Sequence, residues 1–360
     1  MKIKYIGNFK DGTGWAKAST YGALSLDAAG YDVYCEIKTY NNKDITIESR
    51  IDELLSKKSE YYDVVINHVL PNNYKYIGGV LNIGFLELES YTISDIIWIK
   101  NIQMMDLIFV PNKSSKECLI RSGIDENKIK IFNHSFNYNK VINNKSDASI
   151  KELDGKFNFM FVGEFSKRKN LEAVLRAFHN EFDISEPVNL YIKTDKDINM
   201  INSFCDNVKS RMKKSNIYKK EIIVVDHLEE EYLLSTMQQC HAFVIPSYGE
   251  AWCYPAMEAM AMGIPPIYTK GIGIEEYSIK DFEVNSYLTY CYGSLDNLET
   301  LYTSEDKWLE IDIIDLQNKM REVYKVYFED KNKYNEISQR CIESVSKFNF
   351  TNNELVRGVI

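Results

Sequence analysis

Residues 248–267 read YGEAWCYPAMEAMAMGIPPI, with two glutamates, Glu250 and Glu258, in front of a run of small residues that closes on two prolines. The apolar run HAFVIPS precedes this stretch and IPPIYT ends it, so the local order is strand, loop, helix, strand. Glu250 then falls on the loop at the carboxyl edge of a strand. Pro255 suits the start of a helix, where its missing N–H costs nothing. That start puts Glu258 in the first turn, where a carboxylate is favoured by the helix dipole and can accept two hydrogen bonds from a vicinal diol such as a ribose. Ala259, Ala261 and Gly263 leave room for the helix to pack closely on a sheet. Helix stability alone accounts for Glu258, but not for Glu250.

Moving outward, the same alternation recurs on both sides. Upstream come the strand FNFMFVGEF, the amphipathic helix NLEAVLRAFHNEF, the strands VNLYIKT and EIIVVD, and the helix EEEYLLSTMQQC. The first part of the chain repeats the pattern: the strands KIKYIGNF, YDVYCEI, DVVINHV, DLIFVPN and KIKIF, with helices from Trp15 to Ala29 and through ITIESRIDELLSK and KSSKECLIRSG. Strands separated by helices of this length form parallel sheets covered on both faces. Two such halves are expected, joined by the polar stretch 137–156, with ligands at the carboxyl ends of the strands and a cleft between the halves as the active site. The segment after Tyr324 is strongly helical, and its apolar positions require burial against one of the halves.

At 360 residues the chain exceeds what a single core organises. Its formal charge is −9, with the acidic excess beyond residue 150, which argues against a nucleic-acid binder. A local basic stretch, KSRMKKSNIYKK at 209–220, reads as a solvated helix face and turn or as a contact for an anionic surface. The 7 cysteines are scattered, with no CxxC pair, as in a reduced, cytosolic chain without a zinc knuckle or disulfide scaffold. No apolar run reaches bilayer-spanning length, so any membrane contact is expected to be peripheral, at the inner face.

Further residues bear on chemistry. Gly12 and Gly14, in NFKDGTGWA, lie between the first strand and its helix, where backbone amides can approach an anion. The spacing is not GxGxxG, which disfavours a nicotinamide oxidoreductase, although Glu36 ends the second strand with an acid. His68 ends DVVINHV at a carboxyl edge, placed to move a proton or to serve the structure. Glu87 and Glu89 follow a further strand and can orient an acceptor hydroxyl or remain solvated. In FVGEFSKRKN, Arg168 and Lys169 stand just before a helix, against its dipole, unless a phosphate or diphosphate occupies the site.

On the Glu250-x7-Glu258 pattern, FVGEFSKRKNLEAVLRAF and the GTGWA turn, the chain resembles the retaining GT-B glycosyltransferases of family four, also called group one. The resemblance implies an α/β fold of two doubly wound Rossmann-like domains facing across a cleft. Residues 1–145 would form the acceptor side and 155–330 the donor side, with 331–360 a helical segment returning to the first domain. It implies metal-independent, front-face transfer of a hexose from a UDP-, GDP- or ADP-sugar to a sugar, lipid-linked or protein acceptor, in polysaccharide, glycolipid or glycoprotein glycan synthesis. No cofactor or metal is expected. Carried over by position, Glu258 binds the ribose, Glu250 faces the transferred sugar, and Lys169 holds the diphosphate. Gly14, beside Gly12, offers its amide to the donor, and His68 stands where many relatives keep an active-site histidine. Relatives commonly have arginine and glycine where this chain has Glu164 and Asn170, so Arg168 is expected to supply the positive charge. In the donor loop Ala251 and Cys253, around Trp252, replace a glycine pair. The alternatives are an inverting transferase or sugar-nucleotide epimerase, which needs a dedicated base, and a noncatalytic nucleotide-sugar binder.

Overall fold

The computed structural model describes residues 1–39, 43–145, 149–213, 218–225, 228–291 and 303–360. Part of the basic stretch, residues 214–217, lies outside the described residues, as does the end of the strand predicted at EIIVVD. The chain divides into two compact units: Met1–Tyr138 with Ala251–Tyr254 and Lys347–Ile360, and Asn139–Glu250 with Pro255–Ser346.

The first unit alternates β1 (Lys2–Gly7), α1 (Gly14–Ala28), β2 (Asp32–Ile37), α2 (Arg50–Ser56), β3 (Val64–His68), β4 (Leu81–Phe85), α3 (Ile96–Met104), β5 (Leu107–Val110), α4 (Lys113–Arg121) and β6 (Ile129–Ile131). Its strands form one parallel sheet in the order β2-β1-β3-β4-β5-β6. The chain reverses direction across the sheet between β1 and β3, where open α/β sheets place ligands. Both Gly7 and His68 end their strands there, in register with each other. β3 is buried along its whole length, as a central parallel strand must be.

The second unit opens with α5 (Tyr138–Ile142), whose first residue is the last of the first unit. It continues with β7 (Phe157–Val162), α6 (Leu171–Glu181), β8 (Val188–Lys193), α7 (Ile198–Met212), β9 (Ile222–Val224), α8 (Glu230–Met237), β10 (Ala242–Ile245), α9 (Tyr254–Ala261), β11 (Pro266–Thr269) and β12 (Glu283–Val284). The sheet order is β12-β11-β10-β7-β8-β9, again parallel. β13 (Ser286–Tyr290) and β14 (Lys307–Ile311) form an antiparallel pair, followed by α10 (Ile313–Glu329) and α11 (Lys331–Ser346).

Several local expectations change. The helix predicted through ITIESRIDELLSK is confined to α2, and the residues before it are tied instead to Lys10: its backbone carbonyl accepts from the Ile45 N–H, and its ammonium donates to Thr46 Oγ1. α9 begins at Tyr254, so Glu258 is its fifth residue and its first turn carries no acid; the dipole acts mainly within that turn. Gly263 ends α9 at φ +78°, and a Cβ there would lie 2.1 Å from Ser338 Oγ on α11. Its close packing is therefore against a helix rather than the sheet. The terminal segment divides at Lys347: α11 belongs to the second unit, and residues 347–360 to the first.

Candidate functional site

In the second unit, β7 runs out at Val162 and Gly163 opens the loop that carries Arg168 and Lys169 to the start of α6. A Cβ on Gly163 would sit 3.3 Å from Lys169 Cγ, so the glycine makes room for the lysine stem. Asn170 caps α6 by accepting from the Ala173 amide while its own backbone is left-handed, φ +57°. That conformation favours Gly or Asn, which explains why asparagine can stand where relatives have glycine. Its amide group donates to Pro246 O (3.2 Å) and the Tyr248 N–H donates to Arg168 O (2.9 Å), fastening this loop to the one after β10.

The two loops meet at Glu250. Its Oε1 accepts from Lys169 Nζ (2.6 Å), Ser247 Oγ (2.7 Å) and Arg168 Nη1 (3.2 Å), and Arg168 also donates to Gly249 O (2.8 Å). Only 4% of the Glu250 side chain is exposed. Burial raises its pKa, but Lys169 and Arg168 outweigh that and hold the carboxyl below its usual range. The conflict between two cations and the α6 dipole is thus already relieved by Glu250, a pairing that the sequence reading missed. Glu250 Oε2 takes no part in these bonds. Glu258, on α9, is buried at 3% exposure.

In the first unit, Gly12 has φ +70° and Gly14 starts α1, with open space where a Cβ would point. Thr13 caps the helix by accepting from Ala16 N, while Asp11 accepts from both the Thr13 amide and its hydroxyl. Glu36, the acid that kept an oxidoreductase in view, pairs with Lys4 of the neighbouring strand at 2.5 Å.

His68 is fully buried, stacked on Phe85 at 4.2 Å. Tyr5 Oη lies 2.7 Å from its Nδ1, and Glu87 Oε1 lies 2.8 Å from its Nε2. The same Glu87 oxygen is 2.6 Å from His134 Nε2. Burial lowers the His68 pKa against the pull of Glu87. Burial also raises that of Glu87, but His134 and His68 together bring it down to about 2. The ligand atoms of His68, Glu87 and His134 lie within 4.8 Å of one another, near enough to hold a metal ion. Sequence reasoning singled out His68 and Glu87 separately and missed His134; its position just beyond β6, at a carboxyl edge, was the available signal.

Ala251, Trp252 and Cys253 follow Glu250 directly but pack with the first unit. Asn112 Nδ2 donates to Ala251 O, and Tyr254 Oη to Ser135 O (3.2 Å). The Trp252 ring meets His134 edge-on at 5.5 Å. Cys253 has φ +71°, a glycine-like backbone on a residue with a side chain. The structure therefore brings Arg168, Lys169 and Glu250 into one cluster and His68 into another with Glu87.

Comparison with known proteins agrees with this organisation. The family of glycosyl transferases group 1 matches residues 143–322, half of the chain. No curated protein matches. Among solved structures, HepE from Anabaena in complex with UDP-glucose superposes with a TM-score of 0.65 at 12% identity, covering 100% of this chain and 99% of that one. Sucrose-phosphate synthase from Thermosynechococcus elongatus gives 0.67 at 15% identity, covering 100% and 98%. The N-terminal domain of trehalose-6-phosphate phosphatase from Candida albicans gives 0.68 at 10% identity, covering 99% and 95%. At such identities the likeness concerns the fold, two Rossmann-like α/β units of the GT-B class. The chain belongs to the glycosyl transferases group 1 family and is a GT-B glycosyltransferase that draws its sugar from a nucleotide-sugar donor.

Proposed function

We infer that the chain transfers a hexose to an acceptor hydroxyl with retention of anomeric configuration, by a front-face route that needs no metal. The observation that carries this reading is the convergence of Lys169, Arg168 and Ser247 on Glu250 beside the start of α6. Lys169 and Arg168 hold the diphosphate, and with the helix amides they stabilise the charge that develops on it as it leaves. Glu258 binds the ribose diol and Glu250 a hydroxyl of the transferred sugar, through the oxygen that the cations leave open. Gly12 and Gly14 allow a backbone amide to reach the donor, with Ala251, Trp252 and Cys253 completing its surroundings. His68 serves the acceptor side. A clamped Glu250 suits an electrostatic role better than a nucleophilic one, because three hydrogen bonds, two of them from cations, lower its basicity.

No helix of the described residues is long and apolar enough to cross a membrane. We place the enzyme in the cytoplasm, acting on a sugar, lipid-linked or protein acceptor in glycan synthesis. The test is turnover of a panel of UDP-, GDP- and ADP-sugars in the presence of EDTA, with the anomeric configuration of the product read by NMR. Retention with EDTA-resistant turnover is the expected result. An inverted product, or activity restored only by Mg²⁺ or Mn²⁺, would overturn the mechanism; absence of nucleotide release from every donor would overturn the assigned reaction.

A further inference from the structure

Glu87 is held in an unusual way for an acid at a sheet edge. Both imidazoles bond the same oxygen, Oε1, at 2.8 Å from His68 and 2.6 Å from His134, while Oε2 has no partner among the described residues. The side chain is 18% exposed, whereas His68 and His134 are buried at 0% and 1%. The hydrogen bonding fixes which protons are where. Burial keeps the Tyr5 phenol protonated, and its contact with His68 Nδ1 is the place for that proton to go. His68 Nδ1 is then the acceptor, and its Nε2–H donates to Glu87. His134 Nδ1 is buried with no partner. A bare lone pair in that position costs less than an unsatisfied N–H, since a carbonyl-like acceptor is left wanting more cheaply than a donor. His134 is accordingly also the Nε2–H tautomer.

Two imidazole N–H groups donating to one oxygen leave a carboxylate whose second oxygen is fixed in direction and open. This is an acceptor-only group aimed outward. It suits a neutral alcohol, which can donate, and repels a phosphate or carboxylate, which cannot. A divalent ion at the same three atoms would require both Nε2 atoms to be unprotonated. It would place an N–H on the buried His134 Nδ1 with nothing to receive it, so the hydrogen-bonded form fits the surroundings better.

We propose that Glu87, clamped by His68 and His134, binds a hydroxyl of a neutral saccharide acceptor through Oε2, and that the two histidines are its positioning residues. The proposal rests on the glycosyltransferase reading and adds the chemical class of the acceptor group and the residue that recognises it.

The decisive variant is Glu87→Gln. The amide oxygen can still accept from both imidazoles, so the clamp survives, but the open position becomes an NH₂ donor. Saturation-transfer NMR on the full chain, with the methyl glycosides of glucose, galactose, mannose and N-acetylglucosamine and separately with UDP, GDP and ADP, reads acceptor and donor sides independently. At least one methyl glycoside should bind the unaltered chain and bind Glu87→Gln about tenfold more weakly or worse. The nucleotide signal should stay unchanged. No methyl glycoside signal with the unaltered chain, or an equal one in the variant, overturns the proposal. Loss of every nucleotide signal from the unaltered chain strikes instead at the underlying reaction, and the two failures are thereby distinguished. Should Glu87→Gln not fold, Glu87→Asp keeps the charge and withdraws Oε2; an undiminished glycoside signal there overturns the proposal equally. Stoichiometric Zn²⁺ binding by the full chain that His134→Ala abolishes would overturn it in favour of a metal site.

Discussion

At the scale of single residues, a side chain's setting matters more than its identity. Lys169 is within 2.6 Å of Glu250, so removing it leaves a buried carboxylate with weaker compensation and takes away a phosphate ligand together. Lys169→Ala is expected to weaken nucleotide-sugar binding by roughly 1.5–3 kcal/mol, the range for a charged hydrogen bond; calorimetry with the nucleoside diphosphate measures it, and unchanged affinity would refute the role. Glu250→Gln and Glu258→Gln should divide differently. The first should lower the rate at saturating donor, as for an interaction strengthened in the transition state. The second should mainly raise the donor KM. Equal effects on both parameters at both positions would argue for a single shared network. Cys253 offers a stability test at a backbone of φ +71°. Cys253→Gly relieves a left-handed strain and should stabilise the fold by about 1 kcal/mol, read as a higher urea midpoint.

Elements supply constraints that no one residue reveals. β10 and β7 are locked at their starts by His241, whose N–H donates to Asn158 O (2.8 Å) and whose Nδ1 accepts from Asn158 N (3.0 Å). Burial, reinforced by Lys331, pulls the His241 pKa from 6.5 to about 4. The folded pKa lies below the unfolded one, so the unfolded chain takes up a proton first, and stability present above pH 6.5 is lost as pH falls toward 4. The slope is up to about 1.4 kcal/mol per pH unit. His241→Gln retains an acceptor for Asn158 N without titrating, and should flatten the pH dependence of urea denaturation between pH 6.5 and 4.5; an unchanged slope would contradict the assignment. Gly263 shows the same dependence on a neighbouring element. Gly263→Ala meets both a positive φ and Ser338 of α11, with an expected cost of roughly 1–3 kcal/mol.

For the molecule as a whole, the notable feature is that the first unit is assembled from three separate pieces of chain. Its last piece is tied in by backbone bonds, Phe136 N to Phe348 O and Phe350 N to Phe136 O, each 3.0 Å, and it buries Phe348 and Val356 at 3% exposure each. Burying side chains of this kind stabilises by about 1.5–3 kcal/mol apiece. A chain ending at residue 346 should therefore lose roughly 3–6 kcal/mol from the first unit. Hydrogen exchange would show it as faster exchange in β6 and α1 while β7 and β8 stay protected. Protection retained in the first unit would mean that the tail is dispensable.

The alternation of strands and helices and the second sheet's elements were legible in the sequence, because hydrophobic periodicity and turn residues act over a few positions. Pro255 and the small residues after it marked α9 for that reason, even though the helix starts one residue earlier, at Tyr254, which moves Glu258 just past the first turn. What tertiary structure alone decided is which distant side chains meet. Glu250 was read as facing substrate, yet its proton affinity is set by Lys169 and Arg168 some eighty positions earlier. His134 carried no pattern of its own, and it acquired a role only when parallel pairing of β3, β4, β5 and β6 brought the ends of β3 and β6 beside Glu87 at the end of β4. Local chemistry writes elements into the sequence, whereas charge pairing across a sheet edge depends on strand order, which periodicity does not encode.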